Sequence, residues 1–331
     1  MSSNIVYIVV RPTAAPPKTT LHTLYQLHAS RTPITVLTAY DYPTARACSA
    51  HPVDITLVGD SLAQVALGLP STTHLTLDAL IHHTAAVARG TTSPFLIADM
   101  PFGSYHTDVP SALANAVRIV REGSADAVKL EGSSPLVRSV VRALADAGIP
   151  PVAHLGLLPQ RVAAMGGYRV QGRTAADARP IIRDARLLQA AGAVALVLEA
   201  VPAALAAYIT ASLRIPTIGI GAGPHTSGQV LVWDDVMATW EGHKAKFVRR
   251  FADVGAEVGR GVAGYVDAVR RREFPGEKEG YAMRPGEWEK LMQMEGSEGQ
   301  SAAYKYLRDR LIQLRNSPGG GSSQITRRHI T

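Results

Sequence analysis

The sequence of 331 residues contains one cysteine, Cys48, and few aromatic residues, which amount to 6% of the chain. A lone cysteine can form neither an intramolecular disulfide nor a cysteine-rich zinc site, and this indicates a reducing compartment. Long apolar runs are missing as well, because the run Ile5–Val10 is far shorter than the ~20 residues that cross a bilayer. The sequence therefore predicts an intracellular protein without a membrane span.

Acidic residues are absent from residues 1–40, which are rich in Ser, Thr and Ala. This composition is typical of mitochondrial transit peptides. A helical pattern of apolar residues already begins at Leu21, however, so only residues 1–17 are predicted to form a targeting or disordered segment. A mitochondrial location is one prediction from this segment, and a cytoplasmic location is the alternative.

Basic residues outnumber acidic ones by 34 to 27, which gives a formal net charge of +7. A basic cluster runs from Lys244 to Arg272. Such a cluster usually forms a solvated helix face, and attraction of an anionic ligand is the functional alternative. Since no nucleic-acid-binding motif accompanies the cluster, we predict that the protein does not bind nucleic acid.

Short apolar runs rich in β-branched residues alternate along the chain with alanine-rich stretches of helical spacing. Such alternation is typical of parallel βαβ units. The runs predicted as strands are Ile34–Tyr40, Ile55–Asp60, Pro94–Asp99, Ala127–Glu131, Pro151–Leu157, Ala195–Glu199, Pro216–Gly221 and the less regular Val230–Val236. Six to eight such units in roughly 250 residues favour an α/β fold of the (β/α)8 TIM barrel type over an open doubly wound sheet.

Polar residues collect at the carboxyl ends of these predicted strands, where barrel enzymes place their catalytic groups. In chain order they are Asp60, Ser61, Asp99, Lys129, Glu131, His154 and Glu199. One acidic residue after a strand can simply cap the next helix, but this repeated placement indicates the active site of an enzyme. Lys129 and Glu131 lie two residues apart on one strand, so their side chains point to the same side.

Asp60, Asp99 and Glu131 supply the hard oxygen ligands that Mg²⁺ prefers, and no HExxH zinc motif is present. A magnesium ion held by few protein groups can bind a 2-keto acid and polarise its carbonyl. Lys129 is then predicted to hold the substrate and Glu199 to remove the proton next to the carbonyl. The alternative role of Lys129 is that of a Schiff-base nucleophile, which ranks second because three nearby carboxylates would keep its amine protonated.

Motifs in these strands and loops resemble those of the ketopantoate hydroxymethyltransferase family, in the same order from about residue 18 to about residue 280. They are LTAYDY (37–42), LVGDSL (57–62), ADMPF (98–102), VKLEG (128–132), HLGLLPQ (154–160), GGYRVQGR (166–173), VLEAVP (197–202) and IGIGAG (218–223). The resemblance implies a TIM barrel of the phosphoenolpyruvate/pyruvate superfamily. It also implies a homo-oligomer, which is a decamer in bacterial relatives.

The activity implied by the resemblance is transfer of a hydroxymethyl group from 5,10-methylenetetrahydrofolate to 3-methyl-2-oxobutanoate. The products are tetrahydrofolate and 2-dehydropantoate, a precursor of pantothenate and coenzyme A. The resemblance assigns the metal site to Asp60, Asp99 and Glu131. It assigns binding of the keto acid to Asp60, Ser61, Asp99 and Lys129 and the role of proton acceptor to Glu199. His154, which matches a histidine of an active-site strand, is grouped with the substrate-binding residues, and its exact role stays open.

Two other functions stay open at this point. One is a metal-dependent, folate-independent pyruvate-type aldolase or lyase of the same superfamily, and the other is a non-catalytic barrel that serves as a scaffold. The predicted organisation places the catalytic barrel at residues 18–283, a helical C-terminal extension at 284–316 and a disordered tail at 317–331.

Overall fold

The fold is a closed barrel, seen in a computed structural model that describes residues 17–296 and Tyr306. All neighbouring strands are parallel and follow the sequence order, and β8 pairs with β1 to close the barrel. The strands are β1 (Ile34–Thr38), β2 (Ile55–Val58), β3 (Phe95–Asp99), β4 (Ala127–Glu131), β5 (Pro151–Gly156), β6 (Ala195–Glu199), β7 (Thr217–Ile220) and β8 (Gly228–Leu231). The predicted TIM barrel is confirmed.

Helices follow most of the strands, and several begin where a side-chain oxygen accepts a hydrogen bond from a backbone N–H of the first turn. Asp41, Asp108, Ser134 and Thr174 are caps of this kind. The helices are α1 (Leu21–Ala29), α2 (Tyr42–Ala50), α3 (Leu62–Val65), α4 (Leu77–Gly90), α5 (Val109–Gly123), α6 (Pro135–Asp146), α7 (Ala175–Ala191), α8 (Ala203–Ser212), α9 (Trp233–Met237), α10 (Val254–Arg270) and α11 (Glu287–Gly296).

The eighth strand differs from its predicted position, Val230–Val236. It begins two residues earlier, at Gly228, and ends at Leu231, while the second half of the predicted run forms α9. Gly228 pairs with Ile34 of β1, and its backbone comes so close to that residue that a Cβ atom would overlap the Ile34 carbonyl oxygen. Glycine is ordinarily a poor strand residue, so an apolar pattern does not reveal a strand that starts at one.

Side chains of alternate strand residues point into the barrel and form its interior. The apolar part of this interior consists of Ile34, Val36, Ile55, Leu57, Phe95, Ile97, Ala127, Val152, Ala195, Val197, Ile218 and Val230. Leu24 of α1 packs against the same cluster. The intervening residues, such as Val128 and Leu130, point outward and pack in the layer formed with the helices. At the carboxyl ends of the strands the interior becomes polar.

The chain divides into two compact units, and the boundary falls within α10, between Gly259 and Arg260. The first unit contains the barrel. In the second, the apolar residues Val262 and Tyr265 are both 60% exposed, and α10 as a whole buries no residue. None of the described helices combines the length and the apolar composition of a membrane span.

The predicted boundaries of the barrel and the extension stay predictions. Within the predicted extension, α11 covers Glu287–Gly296. The predicted tail at 317–331 lies outside the described residues, and so do residues 1–16 of the predicted N-terminal segment.

Candidate active site

The carboxyl end of the barrel brings the predicted site residues together. Asp99 ends β3, Glu131 ends β4 and Glu199 ends β6. Asp60 and Ser61 follow β2, while Lys129 and His154 lie within β4 and β5. Five of these polar side chains are buried in the described structure: Asp60, Asp99, Lys129, Glu131 and His154. Their proximity fits the sequence expectation.

The inward direction of Lys129 and Glu131 follows from the alternation along β4. Ala127, on the same face of the strand, belongs to the apolar interior, and the residues between them pack outward. The strand register places Lys129 beside Asp99 of β3 and Glu131 beside His154 of β5. Regular parallel pairing therefore stacks a charged layer directly on the apolar one.

Lys129 lies at the centre of this layer. Its Nζ is 3.0 Å from Asp99 Oδ1 and 3.3 Å from His154 Nδ1. Burial lowers the pKa of Lys129, but the charges of Asp99, Asp60 and Glu131 outweigh burial and raise this pKa above its ordinary value. The amine is therefore protonated, which disfavours the alternative of a Schiff-base nucleophile.

Each of the three acidic residues has one carboxylate oxygen held by a hydrogen bond. Asp99 Oδ2 accepts from the backbone N–H of Asp60 at 2.9 Å. Asp60 Oδ2 accepts from Gln160 Nε2 at 2.9 Å, and Glu131 Oε2 accepts from the backbone N–H of Gln160 at 3.1 Å. The second oxygens of Asp99 and Glu131 are also buried. Asp99 Oδ1 pairs with Lys129 Nζ, whereas Glu131 Oε1 has no hydrogen-bond partner among the described residues. An unpartnered carboxylate oxygen of this kind fits a hard cation.

The buried carboxylates also carry more negative charge than Lys129 alone can balance. Burial raises the pKa of Asp99 to about 7, and the nearby Asp60 adds to this rise while Lys129 opposes it. Burial, assisted by Asp60, raises the pKa of Glu131 well above its ordinary value. Among the described residues, no group of three or more His, Cys, Asp or Glu side chains is arranged to hold a metal ion. A cation at these carboxylates would therefore take most of its ligands from substrate or water.

Glu199 lies on the other side of His154. His154 Nε2 is 3.3 Å from Glu199 Oε2. Burial raises the pKa of Glu199 to about 7, against a smaller opposite effect of Lys129. Burial lowers the pKa of His154 well below its ordinary value, so the imidazole is neutral. Since the Lys129 ammonium can only donate, Nδ1 accepts and the imidazole proton lies on Nε2, toward Glu199.

The backbone around Glu199 is closely constrained. Ala200 has a left-handed φ of 47°, which turns the chain immediately after β6, and its N–H donates to the Ile220 carbonyl at 2.9 Å. On the neighbouring strand, Gly156 has φ 96°, and a Cβ there would overlap the Glu199 carbonyl oxygen. Positive φ is unfavourable at an alanine, so the surrounding structure must hold this turn in place. Glu199 is thus held at a fixed point of the barrel rim.

Sequence reasoning missed three residues that contact this site. Tyr40 is buried, and its hydroxyl lies 2.7 Å from Ser61 Oγ. Gln160 binds two of the carboxylates, and the Tyr105 hydroxyl donates to Gln160 Oε1 at 2.6 Å. Tyr40 and Gln160 lie in the LTAYDY and HLGLLPQ motifs, where a polar group among apolar residues was the available signal. Tyr105 lies outside the motifs and gave no such signal.

A cavity of about 520 Å³ opens beside Glu199. Aromatic side chains and cations share its lining. The aromatic residues are Tyr168, Trp240 and Phe247, and the basic residues are Arg169, His243 and Lys246. Lys246 belongs to the basic cluster noted in the sequence. The cavity therefore combines apolar ring faces with positive charge next to a buried carboxylate.

Residues 18–277 match the sequence profile of the ketopantoate hydroxymethyltransferase family. The chain belongs to this family. A 3-methyl-2-oxobutanoate hydroxymethyltransferase of Deinococcus radiodurans is 48% identical over 266 residues, which cover 80% of this chain and 94% of that protein. One of Geobacillus sp. is 48% identical over 264 residues, with 80% and 94% coverage.

Membership of the ketopantoate hydroxymethyltransferase family confirms the prediction of an enzyme that acts on a small keto acid, and it disfavours the scaffold alternative. The family name also confirms the link to pantothenate and coenzyme A biosynthesis, because ketopantoate is the precursor predicted above.

Solved structures support the fold at much lower sequence identity. Phosphonopyruvate hydrolase in complex with oxalate and Mg²⁺ superposes with a TM-score of 0.51 at 13% identity, covering 89% of this chain and 98% of that one. A 2,3-dimethylmalate lyase, a member of the PEP mutase/isocitrate lyase superfamily, gives 0.52 at 16% identity, with 87% and 98% coverage. These likenesses agree with the TIM-barrel fold.

Proposed function

We propose that this enzyme transfers a hydroxymethyl group from 5,10-methylenetetrahydrofolate to 3-methyl-2-oxobutanoate, with Mg²⁺ as the metal. The products are 2-dehydropantoate and tetrahydrofolate. The observation that carries the proposal is the division of the charged layer into two parts. Lys129 and three carboxylates form one part, and Glu199, with its pKa raised to about 7, forms the other part across His154. Substrate binding and proton removal thus have separate groups.

The metal part of the site consists of Asp60 and Asp99, with Glu131 beside them. These residues would hold Mg²⁺, which, when bound, polarises the carbonyl of the keto acid. The buried, unpartnered oxygen of Glu131 supports this assignment. The complex of phosphonopyruvate hydrolase with oxalate and Mg²⁺ agrees with it, since oxalate is also a small dicarbonyl anion.

Substrate orientation falls to Lys129 and Ser61. The protonated Lys129 Nζ would attract the carboxylate or keto oxygen of the substrate as a point charge. The contact with Asp99 and His154 fixes the position of this ammonium group before the substrate arrives. Tyr40, hydrogen-bonded to Ser61, fixes the Ser61 hydroxyl in the same way. A preformed arrangement of charges needs little reorganisation during the reaction.

Proton removal falls to Glu199. The C3–H bond of the keto acid breaks, its electron pair forms the C2=C3 bond of the enolate, and the proton goes to the Glu199 carboxylate. A pKa of about 7 suits this step, because a general base works best when its pKa lies near the operating pH. The neutral His154 lies beside this carboxylate, with Nε2 3.3 Å from Glu199 Oε2.

Water adds to the methylene carbon of the folate while its bonds to N5 and N10 break, and the two hydrogens of the water go to these nitrogens of the departing tetrahydrofolate. C3 of the enolate bonds to the released one-carbon unit, and the proton held by Glu199 returns to the oxygen of that unit, which becomes the product hydroxyl. The cavity beside Glu199 supports a place for the folate. Its aromatic residues Tyr168, Trp240 and Phe247 offer faces for the pterin ring, and Arg169 and Lys246 offer charges for the glutamate carboxylates.

A product assay tests this function. The purified enzyme is incubated with 3-methyl-2-oxobutanoate, Mg²⁺ and 5,10-methylenetetrahydrofolate, and proton NMR follows the products. We expect 2-dehydropantoate only when all three are present, and its loss on chelation of the metal. Carbon–carbon cleavage of 2-dehydropantoate without folate would contradict the proposal and favour the aldolase or lyase.

We also propose, from the family resemblance, that the enzyme is a homo-oligomer and that a decamer is its expected form. Light scattering coupled to size exclusion should give ten times the chain mass, and the mass of a single chain would contradict the proposal. The mitochondrial location, which rests on the acid-free N-terminal segment, stays a prediction.

A further inference from the structure

Gln160 occupies a short 3₁₀ turn, Pro159–Arg161, that follows β5. Its side chain is 4% exposed, and no role has been assigned to it above. The Nε2 group donates to Asp60 Oδ2 at 2.9 Å and to the Met100 carbonyl at 3.0 Å. The backbone N–H of Gln160 donates to Glu131 Oε2 at 3.1 Å. A single residue thus supplies hydrogen bonds to two of the three carboxylates.

The orientation of the Gln160 amide is determined by its partners. The Met100 carbonyl can only accept, so the atom next to it is the amide nitrogen. The Tyr105 hydroxyl accepts from the backbone N–H of Glu131 at 3.1 Å, and it therefore donates to Gln160 Oε1 at 2.6 Å. If the amide were flipped, Gln160 Oε1 would face the Met100 carbonyl oxygen, and two acceptors would oppose each other. The amide nitrogen of Gln160 therefore faces Asp60 as a hydrogen-bond donor.

Tyr105 reinforces this arrangement. Its side chain is 1% exposed, and its hydroxyl links the backbone of Glu131 to the amide of Gln160. Burial, together with the charge of Glu131, raises the pKa of Tyr105 well above its ordinary value, so the hydroxyl keeps its proton. The chain of contacts runs from the Glu131 backbone through Tyr105 and Gln160 to Asp60.

We propose that Gln160, held by Tyr105, is a positioning residue that fixes the Asp60 and Glu131 carboxylates so that their second oxygens face the metal and the keto acid. This inference rests on the proposed function, which assigns those carboxylates to the cation. Without the Gln160 donor, the buried Asp60 Oδ2 loses its partner, and the carboxylate is free to rotate. Removal of such a hydrogen bond to a metal ligand typically weakens metal binding ~10–100-fold.

Two variants test the proposal. Gln160→Leu removes both side-chain donors and keeps the backbone N–H to Glu131, while Tyr105→Phe removes only the hydroxyl. Calorimetric titration with Mg²⁺, and with Mn²⁺ followed by electron paramagnetic resonance, gives the metal affinity independently of turnover. We expect Kd to rise ~10–100-fold in Gln160→Leu and less in Tyr105→Phe. Excess Mg²⁺ should restore much of the C3 proton exchange of 3-methyl-2-oxobutanoate.

Gln26→Leu is the matched control, because Gln26 is exposed on α1, away from the carboxyl end of the barrel. Its metal affinity and exchange rate should equal those of the wild type. Circular dichroism establishes that each variant is folded, and Tyr105→Phe, which removes a single oxygen, keeps the test decisive if Gln160→Leu does not fold.

The two proposals fail in different ways. Unchanged metal affinity in both folded variants would overturn the positioning role of Gln160 while leaving the proposed function intact. Absence of metal-dependent exchange in the wild-type enzyme would instead contradict the proposed function. Reduced exchange that excess Mg²⁺ does not restore, with an unchanged metal Kd, would also overturn the positioning role.

Discussion

The barrel interior has two halves built from the same strands. Apolar residues form the half at the amino ends of the strands, and charged residues form the half at the carboxyl ends. Toward the amino ends, Phe95 and Ala127 pack in a closed apolar cluster beneath Leu24 of α1. Two and four residues further along the same strands, Asp99, Lys129 and Glu131 replace them with buried charge. Burial of apolar surface stabilises a fold, whereas burial of charge opposes folding unless the charges are paired or ligated.

From this difference we infer that the apolar half stabilises the fold and that the charged half carries out the reaction. The apolar half consists of buried side chains in contact with one another, and protein interiors of this kind are close-packed and rigid. The polar half leaves the buried Glu131 Oε1 without a hydrogen-bond partner among the described residues and holds Ala200 in a left-handed conformation next to Glu199. Unfavourable features of this kind persist where function requires them and the rest of the fold supports them. The predictions below change each half separately.

The largest expected effect is on stability, through the apolar half. Phe95→Ala opens a cavity in the closed cluster, so we expect the free energy of unfolding to fall by ~3–5 kcal/mol, measured by urea denaturation. The folded fraction should keep its rate of C3 exchange. Phe274→Ala, at a phenylalanine that is 42% exposed, is the control and should change stability far less. An unchanged free energy of unfolding in Phe95→Ala would contradict the claim that the apolar half stabilises the fold.

The next effect is on chemistry, through the polar half. Lys129→Met removes the only lysine of the charged layer among the described residues, and we expect the exchange rate to fall ~10²–10³-fold. The loss of a preformed positive charge at the substrate is the reason. Lys18→Met is the control, since Lys18 forms a half-exposed ion pair with Asp126. An exchange rate of Lys129→Met within threefold of the wild type would remove Lys129 from substrate binding.

The pH dependence tests Glu199 within the polar half. Only the deprotonated carboxylate accepts a proton, so with a pKa of about 7 the exchange rate should fall at least tenfold for each pH unit below 7 and level off above it. Asp99, whose pKa is also about 7, would steepen the fall, and saturating Mg²⁺ opposes its protonation. The titratable groups that face Glu199 or share its cavity are His154, Lys129, Glu131, Tyr168, Arg169, Asp235, His243 and Lys246. Of these, His154 stays neutral because burial lowers its pKa, and it should not add a second step.

A pH–rate profile of exchange at saturating keto acid and Mg²⁺ measures this effect. A rate that stays constant between pH 5.5 and 8 would contradict the assignment of a base with a pKa of about 7.

The smallest expected effect lies at the rim of the cavity. Lys246 is exposed there, so its loss should raise the KM for 5,10-methylenetetrahydrofolate only ~2–5-fold, as for other exposed ion pairs. Lys246→Gln is compared with Lys278→Gln, an exposed lysine of the second unit, in steady-state kinetics. The KM for the keto acid should not change in either variant. If both variants have the same KM for 5,10-methylenetetrahydrofolate, Lys246 does not contribute to folate binding.

Much of the barrel could be predicted from sequence because its determinants are local. The first seven strands lie within their predicted runs, and the spacing of Lys129 and Glu131 correctly places both side chains on one face. The eighth strand could not be placed, since its start at Gly228 depends on the close approach of Ile34, a distant residue.

The hydrogen bonds that Gln160 forms with Asp60 and Tyr105 could not be predicted from the sequence either. Gln160 and Asp60 are 100 residues apart, and Gln160 and Tyr105 are 55 apart. A motif can single out such a glutamine as unusual, but only the folded barrel shows which carboxylate it holds. Long-range hydrogen bonds between loops have no periodic signature, unlike the alternation that marks a strand.

The most direct test of the central claim is C3 deuterium exchange of 3-methyl-2-oxobutanoate in D₂O with Mg²⁺ and without folate. The wild-type enzyme should exchange the proton, and Glu199→Gln should slow this exchange ~10²-fold or more while binding the keto acid almost as well. Glu277→Gln, at an exposed residue of the second unit, should match the wild type. Unchanged exchange in Glu199→Gln would contradict the claim that the polar end of the barrel acts through this base.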